Sequence, residues 1–294
     1  CAAALAGTTA HVVTAVEQSR VALDVYGTNF PTHRQLPRRV DDLAPDALAA
    51  LEADLWWASP PCQPFTVRGR RRDLDDPRAQ TFLALLRHLE AVRPPAFALE
   101  NVVGFVGSRA HARLLETLER CGYTTGREHQ LCPSALGQPN RRPRVYVLAA
   151  RGPLAPFAPT ARPRRLQDLI DPSADDDPSL RLDPVVARKY AGALHVVDAD
   201  DPESDAITTC FTAAYGRSPV RSGSYLRLPG SGPDHARRFS PAEVLRLLGF
   251  PADFVLPATL PRRKAWHLAG NSLSVPAVRA VLAQLPALAD ALSS

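Results

Sequence analysis

The sequence predicts an α/β chain, a doubly wound sheet with a small loop-rich region inserted late in the chain. Two apolar runs, Asp54-Leu55-Trp56-Trp57-Ala58 and Ala96-Phe97-Ala98-Leu99, have the length and unbroken hydrophobicity of buried strands in a parallel sheet. Segments of helical periodicity alternate with these and with further β-prone runs through the first half. From Arg151 to about Arg238 the alternation stops and Pro, Asp, Arg and Ser dominate, so that stretch stands apart.

In order along the chain, residues 12–17 read as a strand ending in the acid Glu17, and Ser19 as the cap of a helix running to about Phe30. Helices are expected over 78–92 and 108–121, and strands over 123–131 and 144–150. The region that follows includes the acidic run Asp175-Asp176-Asp177 and has the composition of a disordered linker. Its stretch Ile207–Gly216 is too apolar and β-prone for a linker, which favours a small recognition domain. Ser240-Pro241 opens a helix with serine at the cap and proline in the first turn, and one amphipathic helix is expected from about Ser274 to Leu292. The expected domains are therefore 1–150, 151–237, and a segment 238–294 that returns to the first. No internal repeat is visible.

The chemistry concentrates at the ends of the two apolar runs. Ser59-Pro60-Pro61-Cys62-Gln63-Pro64-Phe65 follows the first, and Glu100-Asn101-Val102 the second. Ligands of open α/β sheets bind where strands end, so the thiol and the carboxylate are expected to face one crevice. The diproline forces an extended backbone that cannot begin a helix, placing Cys62 on a rigid loop. A carboxylate beside a thiol opposes thiolate formation, so the pair suits a nucleophile with a separate acid better than a nucleophile with its base. The plain alternative is a packed structural cysteine beside an unrelated glutamate. Glu17, at its own strand end, sits where nucleotide-binding sheets hold ribose hydroxyls, or is simply solvated.

The 294 residues carry a formal charge of +5, and the basic charge is almost all arginine, with lysine only at Lys189 and Lys264. Arginine forks suit phosphates and base edges, although a GC-rich coding sequence enriches arginine too. The five cysteines are odd in number and scattered, which argues against a disulfide framework or a zinc site and for a reducing cytoplasm. No run reaches the ~20 apolar residues of a membrane span. Methionine is absent even at position 1, so the sequence is expected to start inside a longer open reading frame.

At Cys62 and Glu100, together with Asn140-Arg-Arg-Pro-Arg144-Val-Tyr146, Phe239–Pro251 and Gly270-Asn-Ser-Leu-Ser-Val275 in the same order, the chain resembles the cytosine-5 methyltransferases. These use S-adenosylmethionine to methylate carbon 5 of cytosine in nucleic acid. Within the family it looks most like the branch that methylates an anticodon-loop cytosine of aspartate tRNA. Three features carry that likeness: the loop Phe65–Arg70 with Asp75-Asp76-Pro77-Arg78, Pro139-Asn140, and Cys210-Phe211-Thr212 followed by Ala-Tyr-Gly.

The resemblance implies a Rossmann-like class I methyltransferase sheet with a target-recognition domain, and a role for each matching residue. Cys62 adds to carbon 6 of the ring. Glu100 holds the exocyclic amine and ring nitrogen 3, and Asn101 shapes the turn. Arg142, with Arg144 behind it, contacts the base oxygen or holds the glutamate and thiol; phosphate contact alone is the alternative for both. Glu17 takes the ribose hydroxyls and Asp41 the adenine amine, Asn271 closes the methionine end, and Pro60 borders the pocket. Cys210, Phe211 and Thr212 belong to nucleic-acid recognition. Arg68, Arg70, Arg71 and Arg72 are placed to hold phosphates, or lie on a solvated loop. No metal is implied, and a monomer is expected. The target base must leave its stack, which costs least in an unpaired RNA loop.

One departure is marked: the family's first motif, a Phe-x-Gly-x-Gly turn, does not lie within the sequence, so this chain is expected to bind S-adenosylmethionine poorly or not at all. A DNA cytosine-5 methyltransferase, and a catalytically silent nucleic-acid binder, are the competing readings.

Overall fold

The structure, a computed structural model, describes residues 1–65, 72–199, 206–229 and 235–293. The first half runs α1 (Ala2–Leu5), β1 (Ala15–Val16), α2 (Arg20–Asn29), β2 (Gln35–Leu36), α3 (Pro45–Ala49), β3 (Leu55–Ala58), α4 (Gln80–Val92), β4 (Ala96–Val102), α5 (Arg109–Arg120), β5 (Thr125–Leu131) and β6 (Arg144–Ala150). There follow α6 (Pro184–Lys189), β7 (Val196–Val197), β8 (Tyr225–Arg227), β9 (Ala236–Arg238), α7 (Pro241–Leu247), α8 (Arg262–Asn271), α9 (Val275–Leu282) and α10 (Pro286–Ser293). The chain divides into two compact units, one of residues 1–131, 143–158 and 279–294, the other of 132–142 and 159–278. These boundaries differ from those drawn on the sequence, because 132–142 and 238–278 group with the second unit.

In the first unit a four-stranded sheet has the order β3-β4-β6-β5, and β1-β2 form a separate parallel pair. β3 and β4 are parallel as expected, but β6 runs antiparallel to both β4 and β5, which the alternation of helix and strand did not reveal. Phe97 and Leu99 of β4, with Val145, Val147 and Ala149 of β6, project into a core completed by Leu85 and Leu89 of α4 and Leu114 and Leu118 of α5. Period-two alternation sends Ala98, Glu100 and Tyr146 to the opposite face, where Tyr146 meets Trp57 at 6.3 Å between ring centroids.

Helix ends follow local chemistry. Ser19 accepts the Ala22 N–H at 3.3 Å to open α2, and Ser108 the His111 N–H at 3.1 Å to open α5. Three expectations need correction. The strand read over 12–17 pairs only at Ala15 and Val16, where β2 offers two partners. The run Leu55–Ala58, expected buried, is half-buried throughout; among the described residues it pairs on one side alone. The single terminal helix is two, since Pro286 has no N–H to continue the ladder and opens α10 after a break at 283–285.

The second unit carries the three-stranded sheet β7-β8-β9. Ile207–Gly216 forms no strand; it supplies Phe211 and Tyr215 to the core. The Tyr215 hydroxyl donates to Ser224 O at 2.6 Å and accepts the Phe239 N–H at 2.9 Å, while the Trp266 indole donates to Phe239 O at 2.8 Å. Arg237, fully buried, is held by Glu243 at 2.8 Å and Asp175 at 2.5 Å, and Asp177 pairs with Arg262 at 2.7 Å. Asp175 and Asp177 of the acidic run are thus held by arginines.

Candidate functional site

Parallel pairing sets Ala58 beside Leu99, so the chain leaves β3 toward Cys62 and leaves Leu99 for Glu100 at the same end of the sheet. Beyond Ser59-Pro60-Pro61 the half-buried Cys62 leads into a 3-10 turn, Gln63–Phe65, closed by a bond from the Phe65 N–H to Cys62 O at 3.0 Å. Phe65 is 3% exposed and meets Phe105 edge-on at 5.1 Å, which anchors the turn in the core. Gly104, in the 3-10 turn Val103–Phe105 after β4, makes this possible: a Cβ there would lie 2.4 Å from Phe65 O. Sequence reasoning passed over Gly104, although a glycine just beyond a strand exit is a cue to close backbone approach.

Glu100 is 8% exposed, and the Arg144 Nε lies 3.2 Å from its Oε1. Register explains the pair: Glu100 stands opposite Tyr146, and Arg144, two residues back on β6, shares that face diagonally. Arg144 therefore holds the glutamate. Asn101 accepts the Val102 N–H at 2.9 Å through Oδ1, while its buried Nδ2 has no partner among the described residues.

Glu17, just past β1, accepts the Ser19 N–H at 2.7 Å through Oε1. Burial pushes the Asp41 carboxyl up, but bonds from Arg39 at 2.6 Å and Thr81 at 3.4 Å, with the Arg39 charge, outweigh it and hold the carboxyl below its usual range. Asp41 Oδ1 is buried without a partner among the described residues. Pro60 is half-buried between β3 and Cys62.

In the second unit Arg142 is 4% exposed and donates from Nη1 to Phe211 O at 2.9 Å and Cys210 Sγ at 3.4 Å, and from Nη2 to Gly270 O at 3.1 Å and Ser272 O at 2.8 Å. Those bonds tie the 210–211 and 270–272 segments together, a role the sequence reading did not give it. Gly270 permits the junction, since a Cβ there would meet the Thr212 backbone at 2.3 Å. Asn140 donates to Thr208 Oγ1 at 3.0 Å and Thr209 O at 3.1 Å. Phe211, expected to contact nucleic acid, is 1% exposed and packs edge-on against Tyr215 and Phe239, so it is a core residue. Cys210 and Thr212 are half-buried, and Thr212 accepts the Ala214 N–H at 3.2 Å. Asn271 is exposed at the end of α8, 3.2 Å from the His267 Nε2. Arg72 is exposed, while Arg68, Arg70 and Arg71 lie outside the described residues.

No group of three or more His, Cys, Asp or Glu side chains among the described residues could hold a metal ion, and no described helix is long and apolar enough to cross a membrane.

The profile of the C-5 cytosine-specific DNA methylase family matches residues 1–173 and 212–287. The tRNA (cytosine(38)-C(5))-methyltransferase of Schizosaccharomyces pombe is 30% identical over 309 residues, spanning 96% of this chain and 91% of that protein. That of Spodoptera frugiperda is 29% identical over 96% of this chain and 94% of its own length. The solved S. pombe Dnmt2 methyltransferase superposes with a TM-score of 0.84 at 28% identity, covering 98% of this chain and 95% of its own. Sheet, strand-exit residues and these likenesses define a Rossmann-like methyltransferase. More narrowly, the chain belongs to the C-5 cytosine-specific DNA methylase family.

Proposed function

We propose that the protein methylates carbon 5 of an anticodon-loop cytosine in tRNA, using Cys62 as a transient nucleophile. The observation that carries this reading is the parallel β3–β4 pair, which delivers Cys62 and a buried, Arg144-paired Glu100 to the same end of one sheet. Carbon 5 of cytosine is too weak a nucleophile unaided. Addition of the Cys62 sulfur to carbon 6 makes the ring electron-rich, and Glu100, steadied by Arg144, binds the exocyclic amine and nitrogen 3 as charge shifts onto them. After methylation the carbon 5 proton leaves, the sulfur–carbon 6 bond breaks, and the aromatic ring returns.

S-adenosylmethionine, when bound, supplies an electrophilic methyl group. Asp41 fits its adenine, offering a buried acceptor oxygen that lacks a partner among the described residues. Glu17 fits the ribose, since Oε1 is taken by Ser19 and Oε2 remains for a hydroxyl. Pro60, close to Cys62 in the chain, borders the cofactor. Residues 151–237 act as the target-recognition region, with Cys210 and Thr212 in it and the arginines after Phe65 on phosphates. Preference for tRNA over DNA is supported by the names of the S. pombe and S. frugiperda relatives. A cytoplasmic setting accords with five cysteines outside any disulfide.

Labelled S-adenosylmethionine with tRNA or duplex DNA tests the substrate, and a 5-fluorocytosine tRNA tests the chemistry. Label is expected in tRNA, with a covalent adduct through Cys62 that Cys62→Ala abolishes. Transfer to duplex DNA alone would refute the tRNA reading, and absence of the adduct would refute the nucleophile.

A further inference from the structure

The chain beyond Cys62 and the chain beyond Glu100 meet where Gly104 approaches Phe65 O, and they meet again further along. The second meeting docks the 3-10 turn Asp73–Asp75 onto the start of α5, with Leu74 packed against the core and the flanking acids engaged by the helix. Asp73 accepts the Arg109 N–H at 2.6 Å through Oδ2 and the Ala110 N–H at 3.1 Å through Oδ1. Asp75 pairs with the Arg109 side chain at 2.6 Å, but both partners are exposed and the pair adds little. The turn Asp73–Asp75 also packs against the turn Gln63–Phe65 that follows Cys62, so what holds the one steadies the other.

Two features set Asp73 apart from an ordinary helix cap. α5 has a local cap already, since Ser108 accepts the His111 N–H at 3.1 Å through its hydroxyl and the Ala112 N–H at 3.1 Å through its carbonyl. The Arg109 and Ala110 N–H groups are the donors of the first turn with no partner inside the helix, and Asp73 brings them one from the Cys62 side of the sheet. The second feature is backbone strain. Asp73 has φ of 52°, in the left-handed region that favours glycine. A glycine would sit there without strain and lose both bonds, so the strain is offset by what the carboxylate reaches.

We propose that Asp73 is a positioning residue for the Cys62 thiol: seated on the first N–H groups of α5, its carboxylate fixes the turn behind the Cys62 turn and thereby holds the chain beyond the thiol to the chain beyond Glu100. The proposal rests on Cys62 being the nucleophile.

Alkylation of Cys62 and Cys121 by iodoacetamide, read by mass spectrometry of their peptides at one pH, tests this without requiring turnover. Cys62 is half-buried and reports the turn, whereas Cys121, 4% exposed at the far end of α5, reports the helix and its core. Asp73→Gly relieves the strain and removes the carboxylate, and is expected to speed alkylation of Cys62 about tenfold while Cys121 keeps its rate. Asp73→Asn, which keeps one acceptor oxygen and tolerates the same φ, is expected to fall between. In tRNA methylation Asp73→Gly is expected to lower kcat about tenfold with little change in KM. A Cys62 alkylation rate or a kcat within about twofold of the unaltered protein overturns the proposal. So does a parallel rise at Cys62 and Cys121, which would make Asp73 a stabiliser of α5 alone. Should Asp73→Gly fail to fold, Arg109→Pro removes the donor at 2.6 Å from the other side, at a first helical position that suits proline after an extended Ser108. An unchanged Cys62 rate in Arg109→Pro then overturns the proposal equally. Trapping by 5-fluorocytosine tRNA is scored separately: an adduct with unchanged alkylation removes Asp73 alone, whereas faster alkylation of Asp73→Gly without an adduct in the unaltered protein removes the nucleophile.

Discussion

Replacing Gly104 by alanine tests whether contact between the two strand-exit loops sets the position of the thiol. A Cβ at Gly104 would stand 2.4 Å from Phe65 O, and ordinary contact begins at 3.4 Å, so 3.4 − 2.4 gives 1.0 Å that must be found. The obstructing atom is backbone, and the Phe65 side chain is pinned in the core beside Phe105 and Phe82, so the turn cannot yield by a rotamer change. Displacement passes instead through the Phe65 N–H bond to Cys62 O. A misplacement of about 1 Å at a reacting group costs on the order of 100-fold in rate. Overpacking adds about 1–3 kcal/mol of destabilisation, which a domain of ordinary stability survives. Gly104→Ala is therefore expected to remain folded in urea titrations while kcat/KM for tRNA methylation falls about 100-fold. Gly152→Ala, where a Cβ meets nothing within 4 Å, serves as the control. Activity of folded Gly104→Ala within about threefold of the control would show that the contact does not position the thiol.

Arg144→Gln removes the guanidinium beside Glu100 and is expected to lower kcat about 100-fold or more, with a fall in the urea midpoint smaller than that of Arg237→Met. Arg142→Gln abandons acceptors in two segments and is expected to cost about 2–4 kcal/mol in urea unfolding. Arg237→Met leaves Glu243 buried without its cation, so the urea midpoint is expected to fall by the equivalent of about 3–5 kcal/mol. Asp76 has a folded-state pKa of about 2 against an ordinary 3.8, so the stability it adds is present above about pH 4 and is lost as pH falls toward 2. Urea midpoints measured across that window are expected to fall less steeply in Asp76→Asn than in the unaltered protein.

Much of the catalytic strand geometry was legible because it depends on local pattern. The runs before Cys62 and Glu100 became β3 and β4 in parallel, and Ser19, Ser108 and Ser240 cap α2, α5 and α7. What escaped depends on pairing between distant segments. The antiparallel placement of β6 against β4 decides that Arg144 meets Glu100, and no periodicity in either strand encodes it. Burial of Phe211 likewise depends on Tyr215 and Phe239 arriving from elsewhere in the second unit. The family resemblance of Cys210-Phe211-Thr212 suggested recognition, whereas three-dimensional packing made Phe211 structural.

The run Asn140-Arg141-Arg142-Pro143-Arg144 shows how one short motif serves two tasks. Asn140 and Arg142 direct their side chains to Thr208, Thr209, Cys210, Phe211, Gly270 and Ser272, all in the second unit. Pro143, lacking an N–H, marks the passage to the first unit, and one residue later β6 begins with Arg144 beside Glu100. A guanidinium suits both positions for different reasons: at Arg142 it fans several donors onto carbonyls that no other donor type could reach together, and at Arg144 it brings a fixed charge to a carboxylate. Lysine at either site would keep the charge and lose the fan, so it should substitute better for Arg144 than for Arg142. The two arginines, alike in sequence, are thereby separable in function.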